Sequence, residues 1–70
     1  SESLYVYTRT LGGEKLLVIC NFTKEEETYA IPEEFAGSSI LISSYGRDAV
    51  EKEIVLKPYE ALVLKHSERP

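Results

Sequence analysis

Lys15-Leu16-Leu17-Val18-Ile19-Cys20-Asn21-Phe22 holds the longest apolar run of the chain, Leu16 to Cys20. Strand side chains alternate between faces. As a strand, this stretch sends Leu16, Val18, Cys20 and Phe22 one way and Leu17 and Ile19 the other. Both sets are apolar, whereas a half-solvated strand would interleave polar residues. The pattern predicts a central strand covered on both sides. A helix is the competing reading of a short apolar run. Gly12-Gly13 just before it and the β-branched pair Val18-Ile19 argue for the strand.

Working outward, Leu4 to Thr10 alternates as a first strand, with Leu4, Val6 and Thr8 on one face and Tyr5, Tyr7 and Arg9 on the other. Gly12-Gly13 supplies the positive φ of a tight hairpin, so this strand should pair antiparallel with the central one. Lys24-Glu25-Glu26-Glu27 reads as a charged turn and Thr28 to Ile31 as a short third strand. Pro32 ends that ladder, because proline has no amide to donate. Pro32 to Gly37 suits one helical turn with Phe35 tucked under the rim. Ser39 to Tyr45 and Glu53 to Lys57 read as strands, and Ala49 to Lys52 as a loop or a ragged edge. Lys57-Pro58-Tyr59-Glu60 has proline at the second position of a turn. Ala61 to His66 makes a sixth strand. The fold class is therefore all-β: a small antiparallel β-sandwich of about six strands with one short helical turn. The 70 residues form a single domain, with an ordered core over 4–65 and a polar tail over 66–70.

Composition excludes several functions. The net charge is −4, from 12 acidic and 8 scattered basic residues, so no clustered basic face awaits a nucleic-acid backbone. No apolar run approaches the ~20 residues of a membrane-spanning helix, and no signal peptide is visible. One cysteine, Cys20, and one histidine, His66, allow no intrachain disulfide and no zinc cluster. The unpaired thiol fits a cytoplasmic location. Asn21-Phe22-Thr23 matches a glycosylation sequon. Its place at a strand exit favours a backbone-bonding role for Asn21 instead. Glu25 to Glu27 lacks the spacing of a calcium or magnesium loop and reads as a solvated face. No serine sits in a nucleophile elbow, and no glycine-rich phosphate loop is present. No catalytic, metal or cofactor-binding constellation is expected in this chain.

Several pieces occur in one order: Leu4-Tyr5-Val6-Tyr7-Thr8-Arg9, Glu14 to Thr23, Ile31-Pro32, Ile40 to Tyr45, and Leu56-Lys57-Pro58-Tyr59-Glu60-Ala61-Leu62-Val63-Leu64. Together they resemble the C-terminal β-sandwich domain of the family 13 glycoside hydrolases, the α-amylase family. Within it the likeness is to the α-glucosidases: oligo-1,6-glucosidases, dextran glucosidases and trehalose-6-phosphate hydrolases. It covers about Leu4 to Lys65. Cys20 departs from the pattern, standing where the family usually has an aliphatic residue.

The resemblance implies a non-catalytic domain that packs on, and stabilises, a (β/α)₈ catalytic barrel elsewhere in its chain. The family's catalytic carboxylates lie on that barrel, so none maps onto this sequence. A domain built to lie against a barrel should carry an apolar or aromatic face. Tyr5, Tyr7 and Tyr59 are the aromatics left over once the inner faces are filled, and they form the candidate docking or sugar-contact face. Two other functions compete. A carbohydrate-binding module would stack sugar on exposed tyrosines, although no tryptophan is present. A protein-interaction β domain would offer a groove or an open strand edge.

Overall fold

A computed structural model describes residues 3–66. It is an all-β sandwich of six strands and one 3₁₀ turn. The strands are β1 (Leu4–Leu11), β2 (Glu14–Asn21), β3 (Glu27–Ala30), β4 (Ser39–Ser43), β5 (Glu53–Leu56) and β6 (Ala61–Lys65), with the turn at Glu33–Phe35. One sheet has the order β1-β2-β6-β4, and the second is the pair β3-β5. All pairings are antiparallel. Residues 44–52 join β4 to β5 without regular structure beyond a turn, so the stretch Ala49 to Lys52 is a loop. The tail expected over 66–70 lies outside the described residues from Ser67 onward.

Gly12 and Gly13 both have positive φ, 55° and 86°, and close the β1–β2 hairpin with Leu11 opposite Glu14. That geometry matches the right-handed twist of the strands it joins. In β2, Leu17 and Ile19 face inward beside Leu64 and Leu62 of β6. Ile54 and Leu56 of β5 supply the opposing layer, and Ile31 and Phe35 complete the buried cluster. The 3₁₀ turn exists to place Phe35, which is fully buried and meets the His66 ring edge-on at 5.9 Å.

The central strand departs from expectation. Its Leu17–Ile19 face is buried, but Leu16, Val18 and Cys20 are only half-buried and Phe22 is exposed. The two strands β3 and β5 form a single covering layer, and one layer can cover only one face of the larger sheet. The second face is apolar, as expected, but the described residues contribute no cover to it.

Among the described residues two polar side chains are buried, Asn21 and Glu60, and they lie together at one end of the sandwich. The Asn21 amide donates to the Glu60 carbonyl at 2.9 Å. Asn21 Nδ2 donates to the carbonyls of Glu25 (2.8 Å) and Lys57 (3.0 Å), and its Oδ1 accepts from the Thr23 amide and hydroxyl. The sequon asparagine is thus a buried, fully bonded fixture of the fold. The Glu60 carboxylate accepts from Arg47 through two guanidinium nitrogens and from the Lys57 amide at 2.8 Å. Arg47 also donates to the Val55 carbonyl, so the ion pair occupies the open edge of β5 that another strand would otherwise take.

Burial pushes the Glu60 carboxyl up. The Arg47 and Lys57 hydrogen bonds and the neighbouring positive charges outweigh this and hold it below the usual carboxylate range. The folded chain therefore binds this proton less tightly than the unfolded chain. The pair's contribution is complete at neutral pH and fades as pH falls below about 4. Arg47→Ala should cost about 3 kcal/mol in urea unfolding at pH 7, because it strands a buried carboxylate. The difference from wild type should shrink as Glu60 protonates in acid. Asn21→Ala, which takes the donor from the Lys57 carbonyl and the acceptor from the Thr23 amide, should cost about 2 kcal/mol by the same assay.

Candidate docking face

The outer face of the four-stranded sheet is built in rows set by strand register. Arg9, Leu16, Lys65 and Ser39 form one row, bordered by the Lys65–Glu14 ion pair at 3.0 Å. Next come Tyr7, Val18, Val63 and Ile42, one residue from each strand. Three strand spacings make that row about 14 Å wide. Then come Tyr5, Cys20 and Ala61, with the Ser44 hydroxyl accepting from the Ala61 amide at 2.9 Å. Beyond the polar border, the two inner rows carry no charged residue. A register shift in β4 between Ile40 and Ile42 marks a bulge. Bulges re-aim side chains, and here Leu41 and Ile42 are both exposed while Ile40 packs against the core.

Of the residues singled out from sequence, Tyr5 and Tyr7 lie side by side on this face. Their ring centroids are 5.1 Å apart and their planes tilted by 58°. Phe22 extends the series, 5.8 Å from Tyr5 and tilted by 47°. Such tilts suit aromatic packing, but they do not offer one common plane to a flat sugar ring. Tyr59 lies in the turn between β5 and β6, where its amide donates to the Thr23 carbonyl at 3.1 Å, one residue past Phe22. The structure thus brings Tyr5 and Tyr7 together on the sheet and sets Tyr59 at the sheet's end.

Alternation sets Phe22 on the face of Leu16, Val18 and Cys20, but as part of a covered strand and not as a docking residue. Ile42 and Leu41 escaped the sequence reading of this face. Leu41 could not be found, because alternation alone does not reveal a bulge.

No group of three His, Cys, Asp or Glu side chains among the described residues could hold a metal ion. No helix among them is long and apolar enough to cross a membrane. A polar groove of about 490 Å³ runs beside β5, lined by residues that include Glu26, Arg47, Glu51, Glu53 and Lys57. Arg47 is already committed there to Glu60 and Val55, so the groove is the solvent side of the ion pair.

The family of the α-amylase SusG C-terminal domain matches residues 4–63. The chain belongs to that family. Among curated relatives, oligo-1,6-glucosidase of Bacillus cereus is 42% identical over 68 residues, covering 93% of this chain and 12% of its own length. That of Parageobacillus thermoglucosidasius is 44% identical over 66 residues, covering 89% of this chain and 12% of its own length. Among solved structures, isomaltulose synthase from Erwinia rhapontici superposes with a TM-score of 0.79 at 30% identity, over 97% of this chain and 13% of that one. Trehalulose synthase from Pseudomonas mesoacidophila superposes with a TM-score of 0.77 at 28% identity, over 93% of this chain and 12% of that one. The chain therefore spans about an eighth of the length of these relatives.

If the outer face contributes little to the domain's own core, Ile42→Ser should change its unfolding free energy by less than about 1 kcal/mol. Leu64→Ala on the inner face should cost about 3 kcal/mol. Paired urea titrations of the two variants would check the contrast.

Proposed function

We propose that this chain is the accessory C-terminal domain of a cytoplasmic α-glucosidase acting on α-linked glucose oligosaccharides. In this reading it performs no catalysis and stabilises the catalytic barrel of its own chain by docking against it. The observation that carries the reading is the outer sheet face, whose two inner rows, one across four strands and one across three, are uncharged and end in exposed aromatics. Soluble monomers rarely leave more than a few hundred Å² of contiguous apolar surface open to water. Tyr5 and Tyr7 supply the aromatic part of the seat and Tyr59 its rim. Relatives about eight times longer, named for glucosidase activity, motivate both the substrate class and the partner. The free thiol of Cys20 supports a reducing compartment.

Cys20 lies in the middle of the face, between Tyr5 and Ala61, and can report on the docking. Maleimide labelling of Cys20, read by peptide mass spectrometry, should be fast in the 70-residue chain and at least about tenfold slower in the full-length protein. Equal rates in the two would sink the docking reading. The full-length protein with this domain deleted should hydrolyse isomaltose with unchanged turnover per folded molecule, but melt lower or aggregate. Unchanged stability with activity lost only on longer glucans would instead favour the carbohydrate-binding role.

A further inference from the structure

Tyr59 has a φ of 57° and is 64% exposed. All the other positive-φ positions among the described residues are glycines: Gly12, Gly13, Gly37 and Gly46. A bulky residue in the left-handed region is strained, and glycine there is not. Yet the tyrosine side chain, mostly in water, returns little to the domain that bears the strain. Its backbone is held hard. Tyr59 donates to Thr23, Glu60 donates to the Lys57 carbonyl at 3.0 Å, and the Tyr45 hydroxyl donates to the Pro58 carbonyl at 2.7 Å. On either side, the buried Asn21 and Glu60 side chains bind Lys57 through its carbonyl and its amide. Asn21 also precedes Phe22, another exposed aromatic at this end of the sheet, which contacts Tyr5. A rigid polar frame thus presents large apolar side chains to the outside, at a backbone position where folding alone favours glycine.

We propose that Tyr59, together with Phe22, is the anchor by which this domain engages the catalytic domain, and that the strain at Tyr59 is retained for that contact. The inference rests on the docking reading above and commits to the same partner, the roughly seven-eighths of a relative's length that lies outside this match. Tyrosines and other large aromatics held in fixed conformations are what binding hot spots select, because little side-chain freedom is lost on contact. Local strain that the surrounding structure over-determines is a mark of functional positions.

The test is Tyr59→Gly, made in both the 70-residue chain and the full-length protein. In the 70-residue chain the melting midpoint should stay level or rise by up to roughly 5 °C, as relief of strain offsets the added freedom of the unfolded state. In the full-length protein the same change should speed Cys20 labelling about tenfold, the scale of a lost hot spot. Phe22→Ser should do the same there, whereas Val55→Ser, exposed on the other sheet, should not. A lower midpoint for the 70-residue Tyr59→Gly chain would overturn the proposal, because the ring would then serve the domain's own fold. So would unchanged Cys20 protection in the full-length variant, while leaving the docking face itself intact. Only an unprotected Cys20 in the wild-type full-length protein would remove both.

Discussion

The sandwich hangs on a polar knot at one end, where Asn21 and Glu60 meet. Asn21 closes the central strand and Glu60 opens its neighbour β6, and the amide of the first donates to the carbonyl of the second. Both side chains then bind Lys57, from opposite sides of its peptide groups. Glu60 adds Arg47, and Arg47 adds the free edge of β5. One connected set of hydrogen bonds therefore ties the four-stranded sheet to the pair that covers it. Replacing such a network by apolar residues need not reduce stability, but removing one member leaves the others buried and unpaired. Its value lies in fixing one arrangement. A two-stranded sheet is barely stable alone, and this network gives β5 a defined seat and a finished edge.

Much of this was legible in the sequence, and the exceptions are instructive. Alternation set Leu17 and Ile19 on one face of the central strand, and the glycine pair identified the hairpin. The same alternation puts Glu60 on the face of Leu62 and Leu64, and Asn21 on the face of Leu17 and Ile19. Read strictly, it places both polar groups inside. Turn chemistry obscured this for Glu60, because Lys-Pro-Tyr-Glu is also a good turn. Arg47 could not be found at all, since its role depends on a loop returning to the β5 edge. Two of the pieces that carry the family resemblance, Glu14 to Thr23 and Leu56 to Leu64, hold the two halves of the knot, where each supplies partners for the other's buried donors and acceptors.

The candidate face shows a different kind of limit. An apolar alternation says that a face is to be covered, but not which part of a chain covers it. Leu16, Val18, Cys20 and Phe22 were read as core because their chemistry matches core, and their partial exposure follows from topology alone. Placing cover on a sheet requires counting layers, and six strands divided four and two leave one large face over. The β4 bulge widens that face by leaving Leu41 and Ile42 exposed together, where regular pleating would have turned one of them inward.

The two faces of β2 therefore answer to different pressures. On the inner face, tight burial of leucines and isoleucines sets the domain's own stability, and a chain of this size has little in reserve. On the outer face, the exposed Tyr5 and Tyr7 flank smaller apolar side chains, Val18, Cys20, Ala61 and Val63, that are only partly buried and lie outside the core cluster. The knot lies where the two faces meet. It turns its polar atoms inward and leaves Phe22 and Tyr59 outside, so the feature that secures the sandwich also fixes the aromatic rim. A mutation in the knot would act twice, loosening the β5 layer and unfixing the rim. A mutation at Tyr59 would separate the two roles, because its backbone belongs to the knot and its ring does not.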